Sequence, residues 1–490
     1  MTKKLLDKQL LQDSTVFKTQ DYHYHQSELK AGIVHIGLGN FHRAHQACYL
    51  DKLFDLREDF EFGIVGAGIR PYDAKMREDL FRQDWLSTLI VSDQNSQEIR
   101  VLQSMMDFLP IEEGNHALIA MMCQPNIKIV SLTVTEGGYY FDPLGKFDTS
   151  HEDIQYDAKN LQTPRSIFGI LLRAIKLRKD LGTAPFTVLS CDNIPSNGQV
   201  VKNALLILSE MIYPALVEYI SSLHFPNSMV DRITPATTNE HIEYLQNTHS
   251  YIDSRPVACE PFTQWCLEDK FNNDRPKLEL VGVKFVQEIE QYETMKLHIL
   301  NGSHAIIAYP AHLLGIGFAH EAMETKLILD FLNKIIITEV LPVVEAPTGI
   351  DTSEYFEIVK GRFANPYIKD TITRLCLDGF NRQPKFILSS IHKALATSKN
   401  IKGLALANAL WCRYCAGYDE QNNAYEVADD NREMLKQKAL KAKDNPREFL
   451  NIKEVYGDLA DDEVFCALFD ESLRGLYANG VEKSLRGYLG

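Results

Sequence analysis

Short apolar runs rich in β-branched residues recur through the first half of the chain, and stretches of helical period separate them. The runs Ile33–Gly37, Phe62–Gly66, Leu86–Ser92, Ile127–Val134 and Phe186–Cys191 are bounded by turn or polar residues, and each is predicted as a strand. Between them the periodicity predicts helices over Ala44–Phe54, Ala74–Gln83, His116–Met122 and Ile167–Leu177. Strands that alternate with helices argue for a mostly parallel sheet with helices on both faces. Gly198–Leu223 is a further helical stretch, which Pro214 should kink or divide. After about residue 288 the texture changes. Met295–Leu314, Met323–Val340, Pro366–Leu377, Lys385–Thr397, Leu404–Tyr418 and Asp462–Asn479 are apolar-periodic, with few strand-like runs among them.

Composition narrows the class. Of 490 residues, 45% are hydrophobic and 24% charged, enough for a large core and unlike a disordered chain. The formal net charge is −15 and no basic stripe with interleaved aromatics occurs. Nucleic acid and anionic membranes are therefore poor partners. No run approaches the ~20 apolar residues that span a bilayer, and Met1–Lys8 lacks the apolar core of a signal peptide. Nine cysteines, an odd number spread over the chain, point to reduced thiols in a cytoplasmic protein.

The first strand runs into Gly37-Leu-Gly39 and then into a helix. Glycine at the first position allows the tight turn, and at the second it lets a pyrophosphate approach the backbone at a helix N-terminus. The third glycine of that fingerprint is absent, with His42 in its place, so an ordinary strand–turn–helix stays open on these residues alone. Its position at the first strand of an alternating half favours the nucleotide reading. The expected architecture is thus α/β, with a Rossmann-type dinucleotide-binding domain over 1–288 and a mostly α-helical domain over 289–490. Asp73, after the second strand, could bind the adenosine ribose and repel a 2′-phosphate, favouring NAD. It could equally cap the helix that follows, and Arg70 pulls toward NADP, the less favoured cofactor.

Residues 292–304 read Tyr-Glu-Thr-Met-Lys-Leu-His-Ile-Leu-Asn-Gly-Ser-His. As a helix they place Lys296, Asn301 and His304 within an arc of about 140°. Burial would shift such a lysine toward a neutral amine, able to take a proton from an alcohol. The asparagine can donate to a developing alkoxide, the histidine can fix a hydroxyl, and Glu293 can pair with Lys296. A snorkelling lysine and a core histidine are the bland alternative. Asn301-Gly302 weighs against it, because both are poor helix formers.

Six motifs follow one another in order: Gly37-Leu-Gly39-Asn-Phe-His-Arg-Ala-His45, Thr133-Val-Thr-Glu-Gly-Gly-Tyr139, Ser190-Cys-Asp-Asn-Ile-Pro-Ser-Asn-Gly198, Val230-Asp-Arg-Ile-Thr-Pro235, Glu260-Pro-Phe-Thr-Gln-Trp265 and Met295-Lys-Leu-His-Ile-Leu-Asn-Gly-Ser-His304. The series resembles the mannitol dehydrogenase family, long-chain polyol dehydrogenases and reductases that need no metal, from about residue 31 to 385. The resemblance implies Lys296 as general acid/base, Asn193 and Asn301 as the oxyanion pair, His304 as substrate-orienting group and Glu293 as proton gate. It implies cofactor contacts at Gly37, Gly39, Phe41, His42, Arg43, Asp73 and Thr133, and substrate contacts at Asp231 and Arg374. Two positions depart from the family pattern. Tyr72 stands where an acid is frequent, and Arg382 stands where a lysine is expected. A planar fork does not replace a point charge, so the substrate facing Arg382 is the open question.

The implied activity is NAD-dependent, metal-independent hydride transfer between a linear polyol and its 2-ketose. D-mannitol with D-fructose comes first and D-arabinitol with D-xylulose next, catalysed by a monomer. The alternative is a hexuronate reductase acting on fructuronate or tagaturonate, whose carboxylate Arg374 and Arg382 could pair. Cys412-Arg-Tyr-Cys415 is a lone Cys-x-x-Cys amid Leu410, Trp411 and Tyr414, a buried helix more than one of the four-ligand zinc sites. A non-catalytic nucleotide-binding protein would bind cofactor without turnover, and the polar group around Lys296 argues against it.

Overall fold

The computed structural model describes residues 4–13, 16–17, 22–142 and 145–490. Met1–Lys3 of the N-terminal stretch lie outside the described residues. The chain divides into two units, one running to Glu290 and the other from Gln291.

In the first unit five parallel strands stand in the order Met105–Phe108, Gly63–Ala67, Ala31–Ile36, Ile129–Leu132, Thr187–Ser190. The strand alternation assigns each face its own core. Val34, Val65, Val130 and Val188 point to the side packed by the helices His116–Met122, Ile167–Asp180 and Asn197–Ile212. Ile33, Ile64, Ile129 and Leu189 point to the other, covered by Gln46–Asp55. Burial on both faces is why these strands are near-continuous apolar runs in the sequence. The chain winds outward from the central strand Ala31–Ile36 in both directions. The sheet therefore reverses between Ala31–Ile36 and Ile129–Leu132, and a crevice opens there beyond their C-terminal ends.

One expectation needs correction. Ser87–Ser92 is a strand, but it lies outside the parallel sheet. It pairs antiparallel with Gln97–Leu102 and parallel with Val257–Cys259. An apolar run specifies burial, not which sheet it joins. The stretch 198–223 is divided at Pro214, as its ring predicts: one helix ends at Ile212, and Pro214 opens a 3-10 turn before Val217–Ser222. A further sheet, Lys284–Val286, Gln264–Glu268 and Ser228–Asp231, carries Asp231 at a strand end.

Among the described residues of the second unit the regular elements are all helices, with only isolated bridges such as Phe318–Thr371. The helix forecast over 295–314 is interrupted. Glu290–Met295 leads into a π-helical turn, Lys296–Asn301, and then Gly302–Leu313. Further π-turns cover Ile336–Val340 and Pro384–Leu388, and both pack against the first. Of 366–377 only Ile372–Leu375 is helical. Lys402–Cys415 is a wholly buried helix apart from its first residue, and Glu463–Leu489 closes the unit with a break at Gly480 (φ 79°). Among the described residues no helix is long and apolar enough to cross a membrane.

Candidate active site

The glycine turn lies at the point where the sheet reverses. Gly37 has φ +93°, and a Cβ there would stand 2.2 Å from the Thr133 carbonyl oxygen. The fold itself requires this glycine. Gly39 differs: its φ is −117°, and a Cβ would meet nothing nearer than the Gly37 carbonyl at 3.9 Å. No internal contact demands glycine at 39, whereas a pyrophosphate lying on the backbone does. The residues present thus fit a dinucleotide.

A buried polar ladder holds the turn. His35 meets the Ser131 hydroxyl through Nδ1 (2.8 Å) and the Thr133 hydroxyl through Nε2 (2.9 Å), and Thr133 donates to the Gly37 carbonyl (2.8 Å). Since Thr133 spends its proton on Gly37, His35 donates from Nε2 and accepts at Nδ1. Burial pushes the His35 pKa down to about 3, so it stays neutral. His42, in the place of the third glycine, stacks on His35 at 3.5 Å and is buried. Arg43 is buried too, donating to Gly39 O (3.3 Å), Ser87 Oγ (2.8 Å), Asn40 Oδ1 (2.8 Å) and Arg255 O. Both side chains turn inward and brace the turn. Phe41 remains half-buried, stacked on His45 at 5.0 Å.

Beyond the second strand, Asp73 is the first residue of the helix Asp73–Phe81. Its carboxylate reaches back to accept the Arg70 N–H (3.0 Å) and lies against Gly68. That places an acid where an adenosine ribose would arrive.

At the C-terminal end of Thr187–Ser190 stands a group that sequence reasoning passed over. Asp192 accepts from the N–H groups of Val134 (3.1 Å) and Thr135 (2.8 Å) and from the Tyr139 hydroxyl (2.8 Å). Burial raises its pKa, and these three donors oppose the rise. Asn197 donates to the carbonyls of Asp192 (3.0 Å) and Ser228 (2.8 Å), clamping the loop that presents the exposed Asn193. The signal available was a row of polar residues directly after an apolar strand. Asp231, nearly buried, sits opposite Gln264.

In the second unit, Glu293, Lys296 and Asn301 are each 8% exposed. A π-turn bonds residue i to i+5. Lys296 and Asn301, five apart, are therefore brought along one side, where the α-helical expectation spread them over an arc. The Asn301 Nδ2 and His304 Nε2 atoms are buried without hydrogen-bond partners among the described residues. Such orphans are rare and call for a ligand to satisfy them. His304 stacks on Phe363 at 4.0 Å. Burial holds its pKa well below the usual value, and the charges of Arg374, Arg362, Arg382 and Lys296 add to the effect. His304 is thus a neutral imidazole. Arg374 is committed on one edge, its Nε and Nη2 each 2.5 Å from Asp370, and Arg382 is half-buried. His298 turns away to meet the Ser390 hydroxyl at 2.6 Å, and burial pushes its pKa down to about 4.

Cys412 and Cys415 lie in the buried helix, and burial raises both thiols well above their usual range. Among the described residues no group of three or more His, Cys, Asp or Glu is arranged to hold a metal ion.

A dinucleotide turn at a sheet reversal, with a buried lysine, asparagine and neutral histidine in the following unit, defines a nicotinamide-dinucleotide-dependent oxidoreductase. Residues 31–280 match the family model of the mannitol dehydrogenase Rossmann domain, and 288–477 that of the mannitol dehydrogenase C-terminal domain. The chain belongs to the mannitol dehydrogenase family. It is 48% identical to the mannitol 2-dehydrogenase of Cereibacter sphaeroides over 467 residues, covering 95% of this chain and 98% of the relative. The Pseudomonas fluorescens mannitol 2-dehydrogenase in ternary complex with NAD and D-mannitol superposes with TM-score 0.88 at 36% identity, covering 99% of both chains. A D-sorbitol dehydrogenase in substrate-free form gives 0.87 at 29%, covering 98% of this chain and 100% of that one.

The two glycines separate fold from ligand. Gly39→Ala should leave thermal stability unchanged while weakening NAD binding about tenfold, or about 1.4 kcal/mol. Gly37→Ala should cost about 2 kcal/mol of stability. Calorimetry on both variants checks the pair, and equal loss of stability would contradict it. Acid sensitivity follows from the depressed histidines. Between the ordinary value of 6.5 and about 4 for His298, or about 3 for His35, the unfolded chain binds protons that the folded chain refuses. Stability should fall as pH drops from 6.5, and His298→Asn should flatten the slope. A urea midpoint constant from pH 7.5 to 5 would refute this.

Proposed function

We propose that this protein is a metal-independent, NAD-dependent polyol 2-dehydrogenase interconverting a linear sugar alcohol and its 2-ketose, D-mannitol foremost and D-arabinitol next. The observation that carries the reading is the π-turn, which carries a buried lysine and, on it and the helix that follows, two buried polar atoms with no hydrogen-bond partner among the described residues. The names of the relatives supply the substrate class.

Lys296 Nζ takes the proton of the reacting hydroxyl and returns it in the reverse direction. Asn301 Nδ2 and the Asn193 amide donate to the oxygen as charge grows on it. Neutral His304 orients the hydroxyl through Nε2, and Glu293 passes the proton between Lys296 and solvent. Asp231, Arg374 and Arg382 hold the remaining hydroxyls. Gly37, Gly39, Thr133 and Asp73 seat the dinucleotide, with Phe41, His42 and Arg43 shaping its turn. The bound nicotinamide supplies the hydride acceptor. We place the enzyme in the cytoplasm as a monomer.

A hexuronate reductase is the second reading, favoured by the positive charges of Arg362, Arg374 and Arg382 around His304. Against it, Asp370 already neutralises Arg374.

Initial rates on D-mannitol, D-arabinitol, D-sorbitol, D-fructose and fructuronate decide between them. D-mannitol oxidation with NAD should lead, undiminished by a chelator. Faster reduction of fructuronate than of fructose would establish the second reading. Lys296→Ala should lower kcat by about 10²–10⁴-fold, and near-wild-type turnover at neutral pH would remove Lys296 from its role.

A further inference from the structure

We infer that Asp153, with Tyr140, is a cofactor-specificity device. It withholds the Arg70 guanidinium from a 2′-phosphate and so excludes NADP. This rests on the NAD reading above and deepens it.

Arg70 and Asp73 share one turn, joined by the Arg70 N–H to Asp73 carboxylate bond (3.0 Å) and the Asp73 N–H to Arg70 carbonyl bond (3.0 Å). Any adenosine ribose bound at Asp73 therefore has Arg70 as its neighbour. A cation there would ordinarily welcome a 2′-phosphate. Here the guanidinium is drawn aside. Its Nη2 donates to the Tyr140 hydroxyl at 3.1 Å, and its Nη1 lies 3.4 Å from Asp153 Oδ2. Tyr140 in turn donates to the same Asp153 oxygen at 3.0 Å, closing a three-membered cycle.

The cycle is built on a fixed base. Tyr140 is 5% exposed, adopts a left-handed backbone (φ 53°), and packs edge-on against His151 at 4.6 Å. Asp153 lies in the first turn of the helix Glu152–Lys159, with its N–H bonded to His151 Nδ1 at 3.2 Å. Arg70 is the more exposed partner, its side chain 38% exposed against 15% for Asp153. A dianionic 2′-phosphate would meet two carboxylates, Asp73 and Asp153, and a cation already neutralised. A ribose diol asks only for an acceptor, which Asp73 provides. Asp153 stands 83 residues from Arg70, outside the glycine turn and the strand that follow the usual fingerprint.

The test measures binding by calorimetry with two probes, 5′-AMP and adenosine 2′,5′-bisphosphate, alongside kcat/KM for NAD and NADP. Wild type should prefer 5′-AMP. Asp153→Asn should tighten the bisphosphate at least fivefold, leave 5′-AMP within twofold, and raise kcat/KM for NADP in parallel. The gain should shrink at high salt, because the pair is half-exposed. It should vanish in Arg70→Met/Asp153→Asn, which separates release of Arg70 from mere loss of an acid. Tyr140→Phe, which removes only the hydroxyl, should give a smaller gain of the same sign and covers the case in which the Asp153 variant misfolds. An unchanged bisphosphate affinity in both single variants, or a gain that survives loss of Arg70, overturns the inference. Wild type binding both probes equally would overturn the NAD reading itself.

Discussion

The near contact between Gly37 and the Thr133 carbonyl fixes the C-terminal edge of the parallel sheet. Two strands that diverge in connectivity are pinned where a side chain of any size would force them apart. His35 and Thr133 tie the turn to the neighbouring strand, and Asp192 extends the tie to the loop after Ile129–Leu132 and to the next strand. Buried polar networks of this kind are costly unless every member is satisfied, and satisfied ones rigidify what they hold. The glycine turn and the loop bearing Asn193 are therefore positioned by one framework.

Much of that framework could be read in the chain itself. Strands buried on both faces leave uninterrupted apolar runs, so Ala31–Ile36, Gly63–Ala67, Ile129–Leu132 and Thr187–Ser190 stood out. Met105–Phe108 did not, because it is a four-residue edge strand with Asp107 in its middle. Position within a motif also says nothing about direction. His42 and Arg43 sit among the residues of the turn, yet their side chains point into the core. The Asp153 partnership with Arg70 spans 83 residues and has no local signature.

In the second unit the polar residues Lys296, Asn301 and His304 were visible as interruptions of an apolar helix. Their arrangement was not, since a wide turn leaves no separate period in the sequence. The neutral state of His304 was equally hidden. It depends on burial and on arginines 58 to 78 positions further along the chain.

The wide turn also sets how such a site can change. An i→i+5 ring encloses one residue more than the regular i→i+4 ring, so Lys296–Asn301 amounts to an α-helix carrying one inserted residue. Removing that residue would restore regular pitch yet leave later positions in nearly the same phase, because the wide ring absorbs the turn of about 100° that an extra residue would otherwise add. With every residue kept but the ring closed to regular pitch, His304 would leave its stack on Phe363 and Asn301 would turn away from Lys296. The phase of this helix is thus held by the wide ring and not by residue type. Alignments that score substitutions alone would overlook the one-residue step on which the chemistry turns.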